Sequence, residues 1–257
     1  MRLFASALGV VTLLAFLAVG GAALYLAVSR GAVSPAVLVE PGLAAEKGAG
    51  AWLYAVRAGR GFVLIDAGMD AKGRPIDAAL RALGATRDEV TDLFLTHGHV
   101  DHTAGAAALP RARVHAGAGD VGRPPGPDER GLESLLAPLL PRRAPRVDDP
   151  IEAEKRIDLG GGDELLAVPV PGHSRGSMAY LLHGVLYLGD AVTYEAGRLV
   201  APPRLFSDDP PRSAHSVAAL ASLLAHVPVS RICTGHGGCT PAGDAHGLLE
   251  AFAASVR

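Results

Sequence analysis

Cysteine is scarce in this chain: Cys233 and Cys239 are its only two in 257 residues. Two cysteines cannot build the disulfide framework that staples small secreted domains together. Neither stands near the N-terminus, so the sequence gives no support to a lipid-modified anchor there. Cys233 falls in an apolar run and reads as a small core filler. Cys239 lies three residues past His236 and reads as structural. An excess of charge is missing too. Lys and Arg number 24 against 26 Asp and Glu, for a net charge of −2. No broad positive field exists to steer a polyanion, so nucleic acid is not an expected partner. No internal repeat is apparent.

Charge is absent altogether from Leu3 to Ser29, where Leu, Ala, Val, Gly and Phe dominate. A bilayer core needs about 20 apolar residues in a helix, whereas a signal peptide carries an apolar core of about 7–15. The run therefore predicts an uncleaved transmembrane anchor over residues 1–30, touching the membrane through 3–29. Arg2 and the terminal amine, set against Arg30, lean towards a cytoplasmic N-terminus. The remainder would then lie outside the cytoplasmic membrane. Residues 31–50, rich in Ala, Gly and Pro, read as a linker, and residues 51–257 as one folded domain.

Within that domain, short apolar runs alternate with helical patterns, as in α/β folds. Residues 51–57 and 61–66 predict a hairpin about Gly59-Arg60-Gly61. Pro75 opens a helix with Ile76, Leu80 and Leu83 on one face. Strands are expected over 91–95, 164–170, 178–182, 185–188 and 229–233, the middle pair turning at His183-Gly184. A helix is expected from Ser213 to His226, after a loop at Asp208-Asp209-Pro210-Pro211, and another after Pro241. Residues 116–150 hold seven prolines. Inside that stretch Leu132, Leu135, Leu136, Leu139 and Leu140 share a helical face, interrupted at Pro138. They suit either an apolar lid or a plain covering helix.

The densest chemistry lies at residues 97–102, His-Gly-His-Val-Asp-His. Histidine and aspartate are seldom fully buried without partners. Packed this closely they would repel or strand one another unless something bound them, and imidazole with carboxylate suits zinc and its first-row neighbours. The cluster also follows an apolar strand. So do Asp66, His173, Asp190 and His236. Strand ends on one edge of a sheet can converge on one point, and loops held there by a rigid scaffold commonly carry function. His115, His183, His215, His226 and His246 fit no ligand motif and read as surface or hydrogen-bonding residues.

The set His97-Gly-His99-Val-Asp101-His102, followed by His173, Asp190 and His236, resembles the metallo-β-lactamase-fold hydrolases over nearly all of residues 50–240. The resemblance implies a four-layer αββα sandwich. It implies one metal held by His97, His99 and His173, a second held by Asp101, His102 and His236, and Asp190 bridging them. Asp66, in Leu-Ile-Asp-Ala-Gly, matches the family motif that buttresses the metal loop. The cofactor implied is zinc, two ions per chain, with iron or manganese able to use the same ligands. The implied chemistry is attack by a metal-activated hydroxide on a small-molecule substrate, with Asp101 orienting it or accepting its proton.

Several branches share these motifs. True β-lactamases, as the resemblance has it, generally lack the bridging aspartate. The Pro-Gly-His-Ser and Gly-Asp stretches are more similar to glyoxalase II and its relatives, which points to a small ester, thioester or lactone. Glyoxalase II proper continues into a long glutathione-binding helical region, whereas 21 residues follow His236 here. Tyr194 stands where lactonases carry a tyrosine. A mononuclear iron persulfide dioxygenase and a membrane-tethered metal-binding module without turnover are the alternatives. RNA-processing members carry an added arm and a basic surface, and neither is visible.

Overall fold

The computed structural model describes residues 35–48, 50–122 and 144–256. The expected membrane helix over 3–29 and the leucine-bearing helix over 132–140 lie outside the described residues. No helix among the described residues is long and apolar enough to cross a membrane.

The first sheet runs β1 (Val37–Glu40), β2 (Leu43–Lys47), β3 (Trp52–Ala58), β4 (Gly61–Ile65), β5 (Val90–Leu95), β6 (Arg113–Gly117) and β7 (Asp149–Ile151), paired in sequence order. The expected linker over 31–50 is corrected here, since residues 37–40 and 43–47 are strands of this sheet. Leu43-Ala-Ala-Glu-Lys47 hides its strand character behind weak β formers and a charged pair. Tertiary pairing with β3 overrides that preference. The folded unit accordingly begins well before residue 51.

Side chains alternate cleanly along the central strands. Tyr54 and Val56 of β3 and Val63 and Ile65 of β4 point into one apolar cluster, whereas Leu53, Ala55, Phe62 and Leu64 point into another. Burial on both faces explains why Phe62-Val-Leu-Ile65 is apolar without interruption. The outer cluster is closed by helix α1 (Arg74–Ala82), entered through Pro75 in its first turn, with Ile76, Ala79 and Leu80 facing the sheet, and the single-turn helix α2 (Val100–Thr103) follows β5.

The second sheet has the order β15 (Gly238–Cys239), β14 (Arg231–Thr234), β11 (Val185–Gly189), β10 (Met178–Leu182), β9 (Asp163–Pro169) and β8 (Lys155–Gly160). Residues of β8 to β11 and β14 share the inner cluster with the first sheet. A third cluster joins the far face of this sheet to helix α3 (Pro210–Leu223) and helix α4 (Ala245–Ser255). Three apolar interfaces therefore separate helix, sheet, sheet and helix, the layering that the sequence led us to expect. A minor hairpin, β12 (Thr193–Glu195) with β13 (Arg198–Val200), follows β11.

Helix α3 starts three residues earlier than expected. The Asp209 side chain accepts the Arg212 amide at 3.0 Å, and Pro210 and Pro211 occupy the first turn, where no intrahelical amide is needed. The cysteines are also corrected: Cys233 and Cys239 face each other across β14 and β15 and are disulfide-bonded. That bond closes the loop bearing His236.

Candidate metal centre

Parallel pairing aligns the carboxyl ends of β4, β5 and β6 on one edge of the first sheet. The carboxyl ends of β9, β11 and β14 share an edge of the second, because β9 and β11 both run antiparallel to β10 and β11 is parallel to β14. Two buried tyrosines hold the edges together. Tyr54 donates its hydroxyl to the Thr234 carbonyl at 2.7 Å, and Tyr180 donates to the Leu95 carbonyl at 2.8 Å. The backbone adds Met178 N–H to the Thr96 carbonyl and Trp52 N–H to the Gly235 carbonyl, both at 2.7 Å. Each such bond contributes roughly 1 kcal/mol net. All four fasten a residue within two positions of a candidate ligand.

At this joined edge the sequence-nominated side chains meet in two groups. His97, His99, His173 and Asp190 form one, and Asp101, His102 and His236 the other, the atoms of each group lying within 4.8 Å of one another. Nε2 of His173 stands 3.1 Å from His97 Nε2 and 3.1 Å from His99 Nδ1. Asp190 Oδ2 lies between the groups, 2.9 Å from His236 Nε2, 3.5 Å from His102 Nε2 and 3.6 Å from His173 Nε2. Asp101 Oδ2 is 3.5 Å from His236 Nε2.

The surrounding hydrogen bonds orient the rings. Asp66, at a φ of 61°, turns its carboxylate back beneath the cluster. It accepts the Thr96 amide and the Thr96 hydroxyl, each at 2.8 Å, and His102 Nδ1–H at 2.7 Å. Since the Thr96 proton is committed to Asp66, its oxygen accepts from His97 Nδ1 at 3.1 Å. His236 Nδ1–H donates to the Gly50 carbonyl at 3.1 Å. His173 Nδ1 pairs with Ser207 Oγ at 3.0 Å. These Nδ1 contacts turn the Nε2 atoms of His97, His102, His173 and His236 inward, where each neutral ring can offer its lone pair to a cation.

Electrostatics run the same way. Burial, aided by neighbouring imidazoles, holds His97 well below the usual range and lowers His99. It pushes His173 down to about 3. These rings are neutral at pH 7, the state with a lone pair to offer a cation. Burial would lower His102 as well, but Asp190, Asp66 and Asp101 outweigh it and raise that group. The hydrogen bond with Asp190 raises His236. Burial opposes the charge of Asp190, yet His102, His236 and His97 keep its carboxyl well below the carboxylate range.

The donor set fits a pair of divalent cations. His99 Nε2, His102 Nε2 and Asp190 Oδ1 are buried without hydrogen-bond partners. Nitrogen and carboxylate donors in this number suit zinc and first-row neighbours.

Sequence reasoning missed several supports. Ser207 and Gly50 could not be linked to the site without the fold. Asp120 could have been: it follows β6 as Asp66 follows β4, but it fell at the head of the proline-rich stretch. Its carboxylate accepts Gly98 N–H and Gly176 N–H at 2.8 Å each and the Ser174 hydroxyl at 2.6 Å. Tyr194 packs against the cluster under helices α3 and α4. His115 is buried between Asp92 at 2.8 Å and Asp149 at 3.0 Å, away from the site.

Comparison with known proteins places this geometry in a family. The profile described as the Metallo-beta-lactamase superfamily matches residues 47–236. The chain belongs to that superfamily. Among curated proteins it is similar to hydroxyacylglutathione hydrolase of Fuscovulum blasticum, at 32% identity over 162 residues, covering 61% of this chain and 52% of that protein. The enzyme of the same name from Shewanella oneidensis is 28% identical over 159 residues, covering 60% and 52%. The chain thus spans about half the length of the curated relatives it matches. Among solved structures, a subclass B3 metallo-beta-lactamase of Bradyrhizobium japonicum aligns with a TM-score of 0.63 at 21% identity, over 90% of this chain and 94% of that one. An archaeal superfamily protein from Sulfolobus tokodaii gives 0.54 at 21%, over 87% and 84%. At such identities the likeness concerns the fold.

Proposed function

We propose that this chain is a binuclear metal-dependent hydrolase of the glyoxalase-II-like branch, acting on a small acyl thioester, ester or lactone. The observation that carries the reading is Asp190: its Oδ2 is within 3.6 Å of nitrogens from both ligand groups, as a bridging carboxylate requires. An acyl thioester ranks first, because the curated relatives are named for hydroxyacylglutathione. His97, His99 and His173 would hold one ion and Asp101, His102 and His236 the other, zinc in preference to iron or manganese. When bound, such ions supply Lewis acidity and a nucleophile at neutral pH.

The protein's own groups do the rest. Asp66 holds His102 with Nε2 inward. Thr96, Ser207 and Gly50 do the same for His97, His173 and His236. Asp101, whose side chain is 22% exposed, faces the open side of the site, where a carboxylate can orient a water and take its proton. The buried rings beneath exclude bulk water from the reacting centre, which strengthens every electrostatic contact there.

Residues 3–29 would tether this unit to a membrane with the hydrolase outside the cytoplasm. Carbonate extraction and protease accessibility of intact cells test that placement. The catalytic reading is tested by assaying the zinc-loaded full chain on an acylglutathione thioester, an acyl lactone, a cephalosporin and a phosphodiester, beside Asp101→Ala. Turnover of the thioester or lactone, lost in Asp101→Ala, is expected. Turnover of the cephalosporin or phosphodiester alone, or silence on every substrate with metal bound, would contradict the proposal.

A further inference from the structure

Three donors converge on the Asp120 carboxylate, and each belongs to a loop that carries candidate ligands. Gly98 lies between His97 and His99 in sequence, and its N–H donates to Oδ2 at 2.8 Å. Ser174 directly follows His173, and its hydroxyl donates to the same oxygen at 2.6 Å. Gly176 N–H donates to Oδ1 at 2.8 Å. Ser177 Oγ extends the lock by accepting the Ser174 amide at 2.9 Å. The loops themselves come from different sheets, the His97 loop after β5 and the His173 loop after β9. Asp120, from beyond β6, is the side chain that joins them outside the ligand cluster.

The packing leaves no slack. A Cβ at Gly176 would stand 2.7 Å from Asp120 Cγ, and one at Gly98 would stand 3.2 Å from Asp120 Cβ. Glycine at both positions allows the backbone amides to approach the carboxylate directly. A carboxylate is also the only side chain of this size that accepts from all sides. Asparagine would turn an N–H towards an N–H.

We propose that Asp120 is a positioning residue for the first metal. It sets the distance between the His97–His99 loop and the His173 loop, and so preorganises the three imidazoles before a cation arrives. The inference rests on the metal reading above and deepens it. The Asp120 carboxylate bonds to Gly98, Ser174 and Gly176 and not to Asp101, His102 or His236, so the two ligand groups should respond differently to its loss.

The test is stepwise cobalt titration of the purified, metal-free full chain, read by the visible ligand-field spectrum. Wild type, Asp120→Asn and Ser174→Ala are compared. Asp163→Asn serves as a control, since Asp163 clamps a loop in the same manner through Gly59 N–H at 2.7 Å and His183 at 2.8 Å without touching the site. For Asp120→Asn, one binding step should weaken by about 10- to 100-fold with an altered spectrum. The other step should move by less than about threefold. Ser174→Ala, which removes one of the three bonds to Asp120 together with the Ser174–Ser177 hydroxyl contact, should give a smaller change in the same step. Asp163→Asn should bind cobalt as wild type does, whatever its loss of thermal stability. Equal weakening of both steps, or the same affinity and spectrum in Asp120→Asn as in wild type, would overturn the positioning role. Wild-type protein that takes up no cobalt would overturn the metal reading, and this proposal with it.

Discussion

Glu46 gives the sharpest stability prediction. It lies in β2 opposite Leu53 of β3, fully buried, and neither carboxylate oxygen has a hydrogen-bond partner. Burial pushes its carboxyl from 4.5 up to about 7. Below pH 4.5 the group is protonated whether the chain is folded or not, and it costs nothing by ionisation. Between pH 4.5 and about 7 the unfolded chain releases a proton that the folded chain keeps, so stability falls as pH rises. Above about 7 the full penalty is present. At roughly 1.4 kcal/mol per pH unit, the gap sets a ceiling of about 3 kcal/mol. Glu46→Gln removes the titration while leaving the volume nearly unchanged. Chemical denaturation of both proteins from pH 4.5 to 8 reads the difference. The stability of Glu46→Gln relative to wild type should grow by about 2–3 kcal/mol across that range. Parallel profiles would refute the reasoning, because they would mean the carboxylate finds water or a cation in the folded state.

Two further outcomes are expected. Asp66→Asn sets an amide N–H against the Thr96 or His102 donors and should cost about 1–3 kcal/mol, with metal affinity reduced about 10- to 100-fold; unchanged metal titration would contradict the role given to Asp66. Cys233→Ser with Cys239→Ser opens a short loop and should cost about 2 kcal/mol, a fall in Tm of roughly 4–8 °C. Two reactive thiols in denatured, non-reduced wild type would refute the bond itself.

The sequence made the candidate ligands legible because each stands where an apolar strand stops. Asp66, His97, Asp190 and His236 break runs such as Phe62-Val-Leu-Ile65 abruptly, and a polar residue at such a break needs a reason. The layer count came from the family motifs; the alternation of strands and helices was compatible with it but would not have yielded it alone. The lost parts were those where tertiary context outweighs local preference. Strands β1 and β2 hid in the Ala-, Gly- and Pro-rich stretch read as a linker, where even Glu46 is buried. The start of α3 hid behind two prolines that usually end helices and here begin one. Cys233 and Cys239 gave no hint of pairing, because only the tight turn through Gly237-Gly238 brings them across adjacent strands. Asp120 carries the same strand-end signature as the others, but without the fold nothing connected it to Gly98 or Ser174.

The most direct test of the account is the ratio of divalent metal to protein, measured by elemental analysis on the full chain and on Asp190→Ala. If Asp190 joins two sites, wild type should carry about two ions per chain, and Asp190→Ala should carry clearly fewer. A single iron in wild type, or the same content in both proteins, would contradict a binuclear centre built around Asp190.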